Sequence, residues 1–440
     1  MARAMKDSGI EWIGEIPEGW EAYNIRHEFS FGKGLPITKE DLRDSGEPVI
    51  SYGQIHSKIN TGTTIKPELV RYVEGKYLDT HPGSLAHKGD LIVADTSEDA
   101  AGCGNCIYVD TDAPVFAGYH TIILRNKTNH NQRFLSYLFQ TDAWRSQIRK
   151  QVTGVKLFSI SQKILRSTSV IIPQYAEQQR IADFLDTECA RIDSVIEQTR
   201  ASIEEYRKLK QSFITEAVTK GIRPGRKMKS SGIEWVGDIP EEWAVRRIKT
   251  LFRLRDEKNY LPLEEVNLIS LYTDKGVVQH CDLEQTTGNK ASNADGYKKV
   301  YENDIVVNII LCWMGAIGRS AFTGVTSPAY DIYVPSDEIE CRYYHHYFRT
   351  KGFSGDCYKR GKGIMAMRWR TYSDQFRDIP VVMPSKKEQQ EILAFLDAKT
   401  AEIEKLIAKK EKLLAELESY KKSLIFEYVT GKKEVHSERE

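Results

Sequence analysis

The sequence predicts an α+β protein of two mixed α/β globular domains separated by a pair of long antiparallel α-helices that form a coiled coil. Two observations predict this architecture. The chain repeats itself, because SGIEWIGEIPEGW at 8–20 returns as SGIEWVGDIPEEW at 231–243. In addition, each half ends in a long segment without proline or glycine, whose apolar residues recur at alternating three- and four-residue steps.

The totals describe a globular protein of more than one domain. A length of 440 residues fits two or three domains, and 40% hydrophobic with 28% charged residues is an ordinary balance. The net charge of +1 gives no global argument for binding nucleic acid. The chain has no apolar run of the roughly 20 residues that a membrane span needs, no secretory signal at its start, and seven cysteines. These features predict a cytoplasmic protein with reduced thiols.

A second pair of similar segments extends the internal repeat. VIIPQYAEQQRIADFLD at 170–186 returns as VVMPSKKEQQEILAFLD at 381–397, whereas the residues between the two repeated segments of each half have diverged. Gene duplication alone does not explain why only these flanking segments stay alike. We therefore expect a shared structural scaffold that carries two different binding domains. The expected divisions are 1–175 (first domain), 176–221 (first spacer helix), 222–385 (second domain), 386–433 (second spacer helix) and 434–440 (polar tail).

The variable middles have the composition of mixed α/β domains. Runs rich in β-branched and aromatic residues are bounded by Gly, Pro, Asn and Asp. In the first half they are 48–56, 90–96 and 115–125, and in the second half 267–273, 304–311 and 329–334. The runs Asp90–Val93 and Asp304–Val307 occupy equivalent places.

The long segments predict a coiled coil. Its seam consists of Ile192, Ile196, Ile203, Tyr206, Phe213 and Ala217 in the first copy, and Ile403, Ile407, Leu414, Leu417, Leu424 and Tyr428 in the second. About 43 residues at 1.5 Å each give a rod of roughly 64 Å. Burying one stripe on the other requires an antiparallel pair with a pseudo-twofold axis across it. A helix in a larger bundle and a helix that binds a partner are the alternatives.

Catalytic and metal-binding motifs are scarce in this sequence. The Walker-type GxxxxGK[ST], HExxH, GxSxG and the amino-methyltransferase signatures NPP[YF] and DPP[YF] are absent. Cys103 and Cys106 form a lone CxxC, which predicts ordinary buried thiols more than a metal or redox site. His345 and His346 lie in an aromatic run that predicts a half-buried helix rather than a metal site. We therefore expect no catalytic residue, metal or cofactor in this chain.

Two basic stretches stand at matching points of the repeat, just before the long helices. Residues 143–166 contain no acidic residue, and 350–370 contain only Asp356. One such stretch is usually a solvated face, but two at equivalent positions of diverged domains favour contact with DNA phosphates and guanine edges. The candidate DNA-binding residues are Arg145, Arg149, Lys150, Lys156, Lys163, Lys359, Arg360, Lys362, Arg368 and Arg370.

These residues together resemble a known family, the specificity subunits of type I restriction-modification enzymes. The resemblance covers nearly the whole chain and rests on the [IV]EW[IV]G[ED]IPExW phrase, the P-x3-EQQ-x4-FLD start of each long helix, and the duplicated order. It implies two target-recognition domains that each read one half of a split, asymmetric target on double-stranded DNA, with two helices as a spacer. The half-sites would be inverted and separated by unspecified bases.

The resemblance also implies the partners and the cofactors that they carry. Two methyltransferase subunits would use S-adenosylmethionine, and restriction (motor-nuclease) subunits would use ATP and Mg. Two other classes stay open: an enzyme that acts on nucleic acid alone, and a coiled-coil scaffold whose domains bind proteins or glycans. The missing methyltransferase signatures argue against the first. Absence of retention on duplex DNA at low salt, even with partner subunits present, would favour the second.

Overall fold

Two long helices, Tyr175–Lys220 and Lys386–Val429, organise the chain in the computed structural model. The structure describes residues 3–154, 156–280, 293–363 and 369–435. Its contacts divide the chain into a first unit, Met1–Thr199 with Leu413–Glu440, and a second unit, Arg200–Lys412. Each unit therefore contains one α/β domain together with part of each long helix. The predicted α+β class is confirmed within both units.

The long helices run antiparallel in each unit. In the first unit the Phe184 and Tyr428 rings lie 4.5 Å apart, and Lys421 donates to Asp193 at 2.6 Å. In the second unit Arg207 pairs with Glu411 at 2.9 Å and Lys210 with Glu404 at 2.5 Å. In both units the residue number rises along one helix as it falls along the other. The apolar seam is only partly buried, because residues such as Leu414 and Leu417 pack at the margin of the first core.

The first domain is built on two four-stranded sheets. The antiparallel sheet has the order Cys106–Tyr108, Leu91–Ala94, Thr121–Asn126, Phe29–Lys33. The mixed sheet has the order Arg71–Val73, Glu47–Ile50, Val115–Ala117, Leu85–Ala86. Two-stranded pairs are Met5–Asp7 with Glu15–Pro17, Glu21–Asn24 with Ser169–Ile172, and Thr96–Ser97 with Phe158–Ser159. The shorter helices are Ile25–Glu28, Tyr52–Ile55, Tyr77–Thr80, Gln132–Gln140, Asp142–Arg149 and Gln162–Arg166.

The second domain repeats the antiparallel sheet and departs from the first domain elsewhere. Its sheet has the order Ile317–Arg319, Ile305–Asn308, Tyr330–Pro335, Phe252–Arg255, which matches the first domain strand for strand. Two-stranded pairs are Met228–Ser230 with Asp238–Pro240, Ala244–Arg247 with Pro380–Met383, Ile269–Tyr272 with Gly276–Gln279, and Lys298–Val300 with Gly324–Thr326. The shorter helices are Ile248–Leu251, Cys341–Phe348, Lys351–Arg360 and Ser373–Arg377.

A strand buried on both faces stands inside each antiparallel sheet. Leu91 and Val93 pack into the core shared with the helices, and Ile92 and Ala94 pack into the core on the other face. In the second domain Ile305 and Val306 divide between two cores in the same way. Burial on both faces explains why these runs are continuously apolar rather than alternating. The predicted equivalence of the two runs is confirmed.

Several of the predicted β runs are interrupted, and the run 304–311 ends as a strand at Asn308. The run 48–56 ends as a strand at Ile50, and a short helix, Tyr52–Ile55, follows. The run 115–125 is split by a turn in which His120 adopts a φ of 55°. A Cβ at Gly118, in that turn, would lie 2.0 Å from Ser51 Oγ, so the chain passes too close for any larger residue.

The repeated phrase folds into the same hairpin in both units. The strand Met5–Asp7 pairs with Glu15–Pro17, and Met228–Ser230 pairs with Asp238–Pro240. The turn between the strands needs a left-handed residue, and Gly14 and Gly237 both supply it at a φ of 68°. Most of the phrase is therefore required by its own turn and strand pairing.

In each unit the hairpin is attached to the start of the long helix by a carboxylate, which is partly buried in the first unit and buried in the second. Trp20 Nε1 donates to Glu177 at 3.1 Å, and Arg3 pairs with the same carboxylate at 2.7 Å. In the second unit Trp243 Nε1 donates to Glu388 at 3.0 Å, and Arg226 pairs with Glu388. The arginines lie 223 residues apart, the same offset as the phrase. We call this Arg–Glu–Trp contact the anchor.

The glutamine after the anchor glutamate connects the helix start to the domain. Gln178 accepts from the backbone N–H of Asn131 at 2.7 Å and donates to the carbonyl of Pro173 at 2.8 Å. Gln389 does the same with Glu340, at 2.8 Å, and Pro384, at 2.9 Å. Asn131 and Glu340 each cap the helix that follows them. The repeated Glu-Gln pair thus connects three segments through hydrogen bonds: the hairpin, the start of a helix in the domain, and the start of the long helix.

We expect Glu388→Ala to lower the free energy of unfolding of the second unit by about 2–4 kcal/mol. The change leaves the Trp243 N–H without its partner and the Arg226 guanidinium with only the exposed Glu242. The Glu388 and Arg226 side chains are only 7% and 12% exposed. Urea denaturation followed by tryptophan fluorescence measures the loss. Glu391→Ala removes a more exposed ion pair with Arg223 on the same helix and serves as the control, with an expected cost below about 1 kcal/mol. Equal losses in the two variants would contradict a structural role for the anchor.

Candidate nucleic-acid interface

In the first domain, the basic stretch is held against the loop that follows the doubly buried strand. Phe158–Ser159 pairs with Thr96–Ser97, and the backbone N–H of Ile160 donates to the carbonyl of Asp95 at 2.7 Å. The turn at His120 joins the same place, because Asp95 N–H donates to the His120 carbonyl at 3.0 Å. Backbone contacts thus bring together three segments that are remote in sequence.

We call the place where these three segments meet the junction; it is defined by the backbone hydrogen bond from Ile160 to Asp95. A polar cavity of about 520 Å³ opens beside it. Its lining includes Tyr52, His56, Ser97, Asp99, Gly102 and Asn105. Asn105 Nδ2 lies 3.1 Å from His56 Nδ1, and His56 Nε2 lies 2.8 Å from the carbonyl of Thr96. With Asn105 as donor, the ring proton lies on Nε2 and donates to Thr96. The cavity presents amide, imidazole and carboxylate groups, which are the groups that read base edges through hydrogen bonds.

The second domain has the same junction with different side chains. The backbone N–H of Thr371 donates to the carbonyl of Ile309 at 2.9 Å, which repeats the Ile160–Asp95 contact. The loop before it is closed by paired backbone hydrogen bonds between Lys362 and Arg370, at 2.8 and 3.0 Å. Around this junction the side chains are aromatic: Trp313, Tyr358 and Trp369. No pattern in the sequence indicates that the loops after the buried strands belong to this surface.

The candidate cations of the first stretch lie in different environments. Lys156 and Lys163 are exposed and have no ion pair within the described residues. Arg149 donates to Asp142 at 2.9 Å and to the carbonyl of Ala101 at 2.8 Å. Arg145 donates to Gln140 at 2.6 Å, and burial lowers its pKa. This placement favours a structural role for Arg145 over contact with DNA.

The candidate cations of the second stretch are more accessible. Arg360 is the last residue of the helix Lys351–Arg360 and is exposed. Lys362, just after the helix, is also exposed. Arg370 is partly buried. Arg368 lies outside the described residues. Arg360 and Lys362 are thus exposed cations beside the aromatic side chains, and Lys359 is exposed there as well but pairs with Glu234.

A profile of the family described as "Type I restriction modification DNA specificity domain" matches residues 17–205 and 240–415. Two matches, one in each half, cover most of the chain. The chain belongs to this family. The resemblance found in the sequence is therefore confirmed, and the two matches coincide with the internal repeat.

Relatives of the specificity-domain family share a modest identity with this chain. A Methanocaldococcus jannaschii protein named for the type I restriction enzyme MjaX specificity subunit is 27% identical over 245 residues, covering 53% of this chain and 52% of the relative. The StySPI specificity subunit of Salmonella potsdam is 22% identical over 230 residues, covering 50% and 47%. The matched region thus spans about half the length of these curated relatives.

A solved structure supports the fold of the family. The structure reported for complex assembly and conformational transition of the type I R-M system has a TM-score of 0.65 and 15% sequence identity. The similarity covers 95% of this chain and 99% of that one. At this identity the similarity supports the fold alone.

Two candidate cations take part in a contact that both specificity domains repeat. Lys150 pairs with Glu11 at 2.7 Å, and Lys359 pairs with Glu234 at 2.5 Å. Both glutamates belong to the repeated phrase, and hydrogen bonding to Lys359 holds the pKa of Glu234 below its usual value. Exposed pairs of this kind add little stability, so Lys150 and Lys359 can still exchange these partners for phosphate.

The other chemical motifs of the sequence have ordinary surroundings. Cys103 and Cys106 are buried free thiols, and burial raises the pKa of Cys106 to about 11. His345 and His346 lie on the helix Cys341–Phe348, and burial lowers their pKa values to about 3 and about 4. Within the described ranges, no cluster of His, Cys, Asp and Glu has the arrangement of a metal site, and no helix could span a bilayer.

We expect the double change Arg360→Ala and Lys362→Ala to weaken binding to duplex DNA and to reduce the salt dependence of log K by about two units of slope. The reason is that each exposed cation releases about one counterion when it contacts a phosphate. Fluorescence anisotropy between about 50 and 200 mM salt measures the slope. The matched double change Lys227→Ala and Lys229→Ala removes the same charge from the repeated hairpin. Identical slopes for all three proteins would show that this stretch does not contact phosphate.

Proposed function

We propose that this chain is the DNA sequence-specificity subunit of a type I restriction-modification complex. The observation that carries the proposal is the match of the specificity-domain family to both halves of the chain. Two further features support it: each half has a junction of the same backbone design with exposed cations beside it, and the side chains at the two junctions differ. One protein with two different readers would recognise a bipartite, asymmetric target on double-stranded DNA.

The chain would act through its partners. Two methyltransferase subunits would bind it and supply S-adenosylmethionine-dependent adenine methylation, and restriction (motor-nuclease) subunits would supply ATP- and Mg-dependent translocation and cleavage. The repeated frame, meaning the hairpin, the anchor and the helix starts, supports two copies of one partner, because a duplicated surface fits identical subunits. The role of this chain is to select the DNA on which they act.

Partner dependence is the direct test of this function. We expect the pure chain to transfer no methyl groups and to cut no DNA, because the sequence contains none of the corresponding motifs. Co-purification with the methyltransferase subunit should give sequence-specific adenine methylation, measured by methylation-sensitive sequencing of a plasmid library. Methyl transfer or cleavage by the single chain would contradict the proposal, as would methylation without any sequence preference.

The long helices provide a second test, since we propose that their length sets the gap between the half-sites. Inserting four residues after Arg200 and four after Glu411 lengthens each helix by roughly 6 Å. The preferred gap should then lengthen by about one to two base pairs, at 3.4 Å each, while both half-sites keep their bases. Four residues also roughly preserve the helical seam.

The control for the helix test keeps the length and changes the residues. Four alanine substitutions at the same two places should leave the gap unchanged in the sequenced methylation sites. A continuous target would contradict the spacer proposal. So would an insertion that changed the recognised bases and not the gap.

A further inference from the structure

An exposed apolar surface lies at the junction of the second domain. Tyr358 stacks on Trp369 with ring centroids 4.9 Å apart and 23° between the planes, and Trp313 packs against Tyr358 at 5.5 Å. Tyr358 is 49% exposed, and Met314, beside Trp313 in the chain, is 52% exposed. We call these four residues the aromatic surface. A soluble domain usually buries such side chains, so their exposure needs an explanation.

The aromatic surface is held in place by backbone contacts. Trp369 Nε1 donates to the carbonyl of Tyr358 at 3.1 Å, and Trp313 Nε1 donates to the carbonyl of Ile310 at 2.9 Å. A Cβ at Gly361 would lie 2.3 Å from Trp369 Nε1, so only glycine lets the indole reach this position. The rings are therefore ordered before any ligand binds, which lowers the entropic cost of contact.

The charges around the aromatic surface indicate its occupant. Lys359 and Arg360 follow Tyr358 directly, and Lys362 stands two residues further on. All three are exposed. A ligand that fits must combine negative charge with a small apolar group at a short distance from it. Duplex DNA meets both conditions, because phosphates flank a major groove whose one apolar group is the C5-methyl of thymine.

At the equivalent junction the first domain combines hydrogen-bonding groups with two tyrosines, Tyr52 and Tyr119, whose rings pack against His120. There the side chains are Asp95, Thr96 and His120, joined by hydrogen bonds: Thr96 Oγ1 donates to Asp95 at 2.8 Å and lies 3.3 Å from His120 Nδ1. The nearby His56 and Asn105 are also polar. The two domains therefore differ in their means of recognition: hydrogen-bonding groups predominate at the first junction, and exposed apolar groups stand at the second.

We infer that Tyr358, supported by Trp313 and Trp369 and with Met314 beside it, determines specificity in the second domain by contacting the C5-methyl group of a thymine in the major groove. Arg360 and Lys362 hold the flanking phosphates. This inference rests on the proposed function, since it assumes that the second domain reads duplex DNA. The Tyr358 hydroxyl is not required, because the ring makes the contact.

Replacing thymine by deoxyuridine tests the inference, because it removes the methyl group and leaves base pairing and the O4 acceptor intact. The probe is a labelled duplex that carries the mapped target, titrated with the full chain in complex with its methyltransferase subunits. We expect deoxyuridine in one half-site to weaken binding about fourfold for each methyl group that the protein buries. Tyr358→Ala should abolish this sensitivity in that half-site and leave the response of the other half-site unchanged.

Two variants serve as controls for folding and for ring chemistry. Tyr358→Phe keeps the ring and should keep the sensitivity to deoxyuridine. Tyr260→Ala removes another exposed tyrosine of the same unit, on a different loop, and should also keep it. These two controls separate a specific contact from a general loss of structure.

Several outcomes would overturn the inference. They are a half-site without thymine on either strand, insensitivity of both half-sites to deoxyuridine, and sensitivity that persists in Tyr358→Ala. Bending of the DNA by the aromatic surface without any methyl effect would point to a wedge between base steps and would also overturn it. If the complex does not prefer the mapped target to a scrambled duplex, the proposed function itself is wrong, whereas selective binding without a methyl effect contradicts only this inference.

Discussion

The structure depends on the anchor, in which one carboxylate, partly buried in the first unit and buried in the second, accepts from a tryptophan indole and an arginine guanidinium. Glu177 and Glu388 each lie in the first turn of a long helix, and Trp20 and Trp243 each follow a repeated hairpin. A carboxylate that is buried with two donors is stable only while both remain in place. The anchor therefore fixes where the hairpin meets the helix, and it explains why the repeated residues lie at these two ends of each domain and not between them.

The contacts next to the anchor extend this constraint into the domain. Gln178 and Gln389 bind the caps of the helices Gln132–Gln140 and Cys341–Phe348, and Asp186 and Asp397 bind an arginine near the start of each of these helices. All of these partners are backbone atoms or charges at the edge of the domain. The interior beyond them can change, as the different second sheets show, without disturbing the long helices.

The sequence predicts the features that leave a periodic or repeated pattern in it, which are the long helices and the duplicated segments. The first long helix is expected at 176–221 and lies at 175–220, because no proline or glycine interrupts it and its ends carry clear signals. The equivalence of the runs Asp90–Val93 and Asp304–Val307 is predicted by the repeat, whereas their burial on both faces is seen only in the structure. Burial of individual cations was not predictable, since local charge does not show which face of a helix packs: Arg145 stands between Trp144 and Ser146 on a helix whose Trp144 and Ile148 are buried. The polar cavity and the aromatic surface escaped prediction because their members are far apart in sequence.

The junction explains how two domains of one design can differ in chemistry. Its defining hydrogen bonds, Ile160 to Asp95 and Thr371 to Ile309, join backbone to backbone. A backbone hydrogen bond does not depend on the side chain at either residue, so the segments stay together when the side chains change. Polar groups in the first domain and aromatic rings in the second therefore stand on the same support. Under the proposed function, substitution at the junction alone would change the recognised bases, while the anchor and the helix starts remain as they are.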